Sequence, residues 1–188
     1  MATVLKTDPV GLDVFLNSMQ ISLFNFLTTD DIKVPWTKYE SFHRAYKNPK
    51  NGLMIPEIYT ADGEYKDILF NDEFNVTSFF LADDTRTDDL EIITQRISII
   101  FQGKLDKLYP LIDHRADEEM NFDILNAVKA FPPMRDKDIT MVTGIRNVYA
   151  ELNLNNLVDF DDMSKFHVVK VDVDATYYSG CENVGTIA

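Results

Sequence analysis

One run near the end of the chain, Phe166 to Tyr178, constrains the fold more than any other. His167, Val169, Val171, Val173, Ala175 and Tyr177 fall on one side of a two-residue period, and Lys170, Asp172, Asp174 and Thr176 fall on the other. That alternation predicts a strand with one face against a core. Ile92 to Gln102 repeats the pattern. Ile97, Ile99 and Phe101 share one face, and Arg96, Ser98 and Gln102 share a solvent face interrupted only at Ile100. It predicts a half-buried antiparallel strand.

Two segments carry the helical period instead. Asp8 followed by Pro9 reads as an N-cap with proline at the first helical position, so a helix is predicted to start there. Leu12, Phe15, Leu16, Met19, Leu23, Phe26 and Leu27 form its apolar stripe, with Asp13, Asn17, Gln20 and Asn25 between them, and it ends in Thr28 to Asp31. The second helix opens on Asp117, Glu118 and Glu119, carries Met120, Ile124, Leu125, Val128 and Phe131, and is stopped by Pro132-Pro133. Ile139 to Tyr149 is predicted as a further strand, and Leu152 to Asp162 as a long loop.

Between the first helix and the Ile92 strand the pattern breaks up. Pro35, Pro49, Pro56, Asn51-Gly52 and Asp62-Gly63 punctuate short runs rich in Tyr and Phe. Phe42 to Tyr46, Ile55 to Tyr59, Tyr65 to Leu69 and Val76 to Leu81 read as short strands or extended arms, and Asp83 to Asp89 as a charged loop. With 188 residues the chain is read as one α+β domain spanning 1–188. Its antiparallel sheet has two main helices packed on one side, and residues 33–89 form an irregular, β-rich, aromatic insertion.

Charge narrows the function. Against 31 acidic residues stand 18 basic ones, a net charge of −13 that argues against a protein gripping duplex DNA. Cys181 is the single cysteine, so no internal disulfide can form. The stretch Met1 to Pro9 lacks the pattern of a secretion signal, and a reducing cytosol is expected. Apolar runs fall well short of the roughly 18 to 20 residues that a membrane helix needs, so the chain is expected to be soluble, without a membrane partner.

Candidate chemistry is sparse. His43, His114 and His167 are scattered without metal-ligand spacing. Asp159, Asp161 and Asp162 resemble the start of a calcium loop, but Met163 stands at a ligand position, no glycine follows at the sharp turn, and no glutamate closes the loop. Asp172 and Asp174 point the same way and could hold a divalent cation for phosphodiester hydrolysis. Lys170 lies on the same face, however, and the row reads better as a solvated or intersubunit face of an edge-like strand. Cys181 has no oriented base near it in sequence, and the seven glycines form no phosphate loop. No catalytic residue, metal or cofactor is expected.

The stretch Trp36, Lys38, Tyr39, Phe42, Arg44, Tyr46, Lys47 and Lys50 interleaves bases with aromatics. Such a stretch can stack on single-stranded nucleic acid, yet Trp, Tyr and Arg are also the usual anchors of protein interfaces. The acidic balance favours a protein partner over nucleic acid. An ordinary satellite core filled by the same rings accounts for the composition equally well.

Ile97 to Phe101, Val128-Lys129-Ala130-Phe131-Pro132, Val142 to Tyr149 and Met163 to Val173 together resemble the tail-terminator or tail-completion proteins of tailed bacteriophages. Ile55 to Tyr59, Gly63 to Asp67 and Asn71-Asp72 to Phe80 resemble the neck ring proteins of crAss-like phages. The long middle segment departs from a compact terminator. The resemblance implies a non-enzymatic virion structural protein, assembled in the host cytoplasm as a homo-oligomeric ring between portal and tail. It would touch adjacent portal, neck or tail rings, and DNA would pass through its lumen without specific binding. In that light Trp36, Tyr39, Phe42, Arg44, Tyr46, Tyr59 and Tyr65 are candidate interface residues, and Lys170, Asp172 and Asp174 could pair across a subunit boundary. An acidic lumen would repel phosphates. Two other readings compete: a non-catalytic adaptor using the same aromatic arm, and a metal-dependent nuclease using Asp172 and Asp174.

Overall fold

The computed structural model describes residues 2–29, 32–50, 53–61, 64–89, 91–112, 115–152 and 166–178. In chain order these form β1 (Ala2–Val4), α1 (Leu12–Thr28), β2 (Tyr39–Lys50), β3 (Leu53–Ala61), β4 (Glu64–Asp67), β5 (Val76–Asp89), β6 (Ile92–Lys104), α2 (Leu105–Leu108), α3 (Asp117–Ala130), β7 (Thr140–Thr143), α4 (Ile145–Val148) and β8 (Phe166–Tyr178). The strands make one open, largely antiparallel sheet in the order β4-β3-β2-β5-β6-β8-β7, with β1 also beside β2. Only β1–β2 and β2–β5 run parallel.

The protein is α+β, with the two long helices sharing one core against the sheet. Leu16, Met19, Leu23 and Leu27 of α1 and Met120, Ile124 and Val128 of α3 close over Ile97, Ile99 and Phe101 of β6 and Val169, Val171 and Val173 of β8. Phe15 of α1 meets Phe131 edge to face at 5.5 Å, fixing the end of α3 against α1. Each fully buried leucine of that stripe contributes about 1.5–3 kcal/mol relative to exposure.

The opposite face is a second core rather than solvent. Ile100 and Val168 pack there with Phe42, Phe79, Val148 and Tyr149. Gln102, expected in water, is buried; its Oε1 accepts the Phe70 N–H at 2.6 Å. A paired acceptor removes most of the penalty for burying an amide.

Three expected boundaries move. Asp8 does not cap the first helix: Asp8 has φ 48° and Gly11 φ 58°, so the chain makes two left-handed steps before α1 begins at Leu12. The predicted strand Ile139–Tyr149 is broken at Gly144, whose φ of 87° turns the chain from β7 into α4. Asp83 to Asp89 is not a loop. It is the distal half of β5, with Arg86 to Asp89 paired to Gln95 to Ile92 beyond a bulge. Its side chains are mostly in water, so no apolar period announces the ladder.

The segment 33–89 is likewise no appendage. It supplies β2 and β5, which lie inside the sheet, and only the β3–β4 hairpin extends it outward. The predicted loop after Leu152 and the candidates Asp159, Asp161, Asp162, His114 and Cys181 lie outside the described residues. Among the described residues no helix is long and apolar enough to cross a membrane.

Candidate assembly surface

The aromatic stretch divides into core and surface. Trp36 and Tyr39 are 1% and 0% exposed and belong to the helix-side core, while Phe42 is buried in the opposite one. They correct the interface expectation, because rings this enclosed cannot reach a partner. Trp36 packs edge to face against Tyr39 and Phe101. The Tyr39 hydroxyl shares a 2.7 Å hydrogen bond with Ser78 Oγ, which in turn donates to Ser41 Oγ at 3.1 Å. Burial pushes the Tyr39 phenol up to about 12.

Tyr46, Tyr59 and Tyr65 remain on the surface, the last two 53% and 51% exposed. The register Tyr59↔Tyr65 sets their rings 5.3 Å apart, and Tyr65 also meets Tyr46 edge to face at 6.2 Å. Arg44 lies over the Tyr46 ring at 5.0 Å and donates to its hydroxyl at 3.0 Å. Three strands thus present one aromatic patch, and β4 beneath it is exposed at all four residues, with β3 its sole partner among the described strands.

A buried carboxylate anchors this arm. Glu57 of β3, 1% exposed, accepts Asn48 Nδ2 at 2.6 Å and is ion-paired to Lys50. Those two hydrogen bonds hold its carboxyl below the usual range. A second polar cluster sits at the start of α1, where Asp13 pairs with Lys6 and lies 3.6 Å from Arg44 Nε. Gln20, on the same helix, donates to the Ser41 carbonyl at 2.7 Å and the Val4 carbonyl at 3.2 Å, tying β1 and β2 to the helix. Both residues fall between the apolar positions of α1 yet are buried; Lys6 and the β1 and β2 carbonyls partner Asp13 Oδ2 and Gln20 Nε2, while Asp13 Oδ1 and Gln20 Oε1 have no hydrogen-bond partner among the described residues.

The row on β8 also differs from expectation. β8 is flanked by β6 along its length and by β7 from Val169 to Asp172, so Lys170 and Asp172 are not on a free edge. Asp172 is buried, accepts Ser98 Oγ at 2.5 Å and lies 3.3 Å from Lys170 Nζ and 3.7 Å from Arg96 Nη2. Two cations and a hydroxyl already occupy the carboxylate, an environment that opposes a further cation. Asp174, opposite Arg96 in the register, stays exposed. Among the described residues no three His, Cys, Asp or Glu side chains are grouped to hold a metal ion.

The histidines are packed rather than poised. His43 Nε2 lies 3.4 Å from the Asp13 carbonyl, and His167 Nε2 donates to Asn121 Oδ1 at 3.0 Å. Burial lowers the pKa of both, so they are neutral near pH 7.

A groove of about 950 Å³ opens between the distal halves of β2 and β5, lined by Arg44, Tyr46, Lys47, Asp84, Arg86 and Tyr178 among others. Nothing in the sequence announces it, because it arises where two paired strands part. No protein-family model matches the chain, and no curated protein matches it.

Proposed function

We propose that this chain is a structural subunit of a tailed-phage neck or tail-terminator ring that assembles head to tail with copies of itself, as its sequence resemblance implies. The observation that carries the reading is the open sheet with two unlike ends. At one end β4 offers an exposed edge under the Tyr59–Tyr65 patch, and at the other lies the short strand β7. Exposed edges and exposed rings call for a covering partner. A contact joining unlike surfaces repeats from copy to copy and makes a ring when its rotation closes.

In this reading the β5–β6 hairpin faces the channel. Asp83, Asp84, Asp89 and Glu91 gather there, and a wall of carboxylates repels DNA phosphates instead of retaining them. The surface serves assembly and neighbouring virion rings, and no reaction is assigned to it. The same aromatic patch would also suit an adaptor that binds one partner as a monomer. Size-exclusion chromatography with light scattering at micromolar protein separates the two: a discrete oligomer supports the ring, and a monomer at every concentration contradicts it.

A further inference from the structure

The sheet forks. β2 and β5 run side by side as far as Arg44 and Phe80. Beyond that pair β2 continues with β3, from Ala45 to Lys50, while β5 continues with β6 to Asp89. No described strand pairs with the other edge of β5 past the fork. Besides the short terminal strand β7, each copy therefore carries open edges at β4 and at distal β5 among the described strands, and an unpaired edge is a template for another strand.

The charges on these edges are complementary and unspent. Glu64 and Lys66 on β4, and Arg86 and Asp88 on β5, are exposed and form no ion pair with any described residue. Within each strand the two charges are two residues apart and project from the same face. Laid parallel, Glu64 comes beside Arg86 and Lys66 beside Asp88. Laid antiparallel over the same residues, Glu64 meets Asp88 and Lys66 meets Arg86, which repel.

We propose, resting on the ring reading, that β4 of one copy adds in parallel to the distal edge of β5 in the next copy, with Glu64 beside Arg86 and Lys66 beside Asp88. The acceptor and donor are different surfaces, so the contact is heterologous and propagates around a ring. It also lays the exposed Tyr59–Tyr65 patch against the neighbour's hairpin and groove.

Charge reversal tests the contact. Lys66→Glu and Asp88→Lys each turn one attraction into a repulsion and are expected to raise the assembly midpoint concentration about tenfold. The double variant restores it, and circular dichroism stays unchanged throughout. As a second measurement, in a Cys181→Ser background, mixing Lys66→Cys protein with Asp88→Cys protein under mild oxidation is expected to give a crosslinked heterodimer. Wild-type oligomers that persist unaltered in both reversals, or weakened assembly that the double variant does not restore, overturn this contact and leave the ring reading standing. Absence of the crosslink in assembled protein does the same. A wild-type chain that stays monomeric overturns both.

Discussion

The indole nitrogen of Trp36 donates to the hydroxyl of Tyr109 at 3.1 Å, and that hydroxyl donates to Asp123 Oδ2 at 2.6 Å. Residues from the segment before β2, the end of α2 and the middle of α3 are thereby joined through one polar chain that runs from the buried Trp36 and Tyr109 to the half-buried Asp123. Burial raises the Asp123 pKa, partly offset by the hydrogen bonds from Tyr109 and Trp36. Trp36→Ala removes both the core ring and a donor and is expected to cost about 3–5 kcal/mol. Tyr109→Phe leaves the carboxylate short of its donor and is expected to cost about 1–3 kcal/mol. Urea denaturation followed by circular dichroism checks both; a loss under about 0.5 kcal/mol, the range of a surface substitution, would contradict the burial of these groups.

The buried histidines set a pH dependence of definite sign. Their folded pKa values lie below 6.5, so their contribution to stability is present above pH 6.5 and is lost as the pH falls through 6.5 toward the folded values. Asp123 has the opposite sign: its pKa is raised from 3.8, so its contribution is lost as the pH rises from there through the folded value. Thermal denaturation from about pH 7.5 to 5.5 should therefore show a steeper loss of Tm in the wild type than in a His43→Gln/His167→Gln variant. Parallel curves would count against burial of these rings.

Core and surface tyrosines should separate cleanly. Tyr59→Ser with Tyr65→Ser is expected to change stability by no more than about 0.5 kcal/mol per site while weakening assembly, because both rings are half exposed. Tyr39→Ser is expected to destabilise the monomer itself by about 3–5 kcal/mol. Tm and light scattering on the same samples check the pair, and the reverse ranking would contradict the division drawn through the aromatic stretch.

Gly103 marks where α3 presses on β6. A Cβ there would come within 2.7 Å of Met120 Cε and 3.3 Å of Leu108 Cδ1. Gly103→Ala is expected to cost about 1–3 kcal/mol through overpacking. Shortening Met120 makes the space, so Gly103→Ala with Met120→Val should cost less than the sum of the two singles in a double-mutant cycle. Strict additivity would show that the two do not touch.

Legibility followed the physics of each element. The bounds of β8 and its helix-side face are legible in the sequence, and those of β6 nearly so, because alternation survives where one face meets a core; the other face of β8, expected to be a solvated edge, instead holds buried Val168 and Asp172. The even face of β6 was read as solvent, since Arg96, Ser98 and Gln102 hide a second core that depends on contributions from Phe79, Val148 and Tyr149 far along the chain. Distal β5 was missed because a ladder of solvated Asp and Thr carries no period. In the aromatic stretch, composition does not separate Trp36 from Tyr59: each ring lies within three residues of a proline, and only tertiary packing decides which one faces inward. The fork between β2 and β5 left no sequence signal, since it lies in the pairing and not in either strand.

Native mass spectrometry of the purified chain tests self-assembly most directly. A single dominant species whose mass is an integer multiple, greater than two, of the 21.6 kDa subunit is the expected result; a spectrum holding only the 21.6 kDa species at every concentration would contradict it.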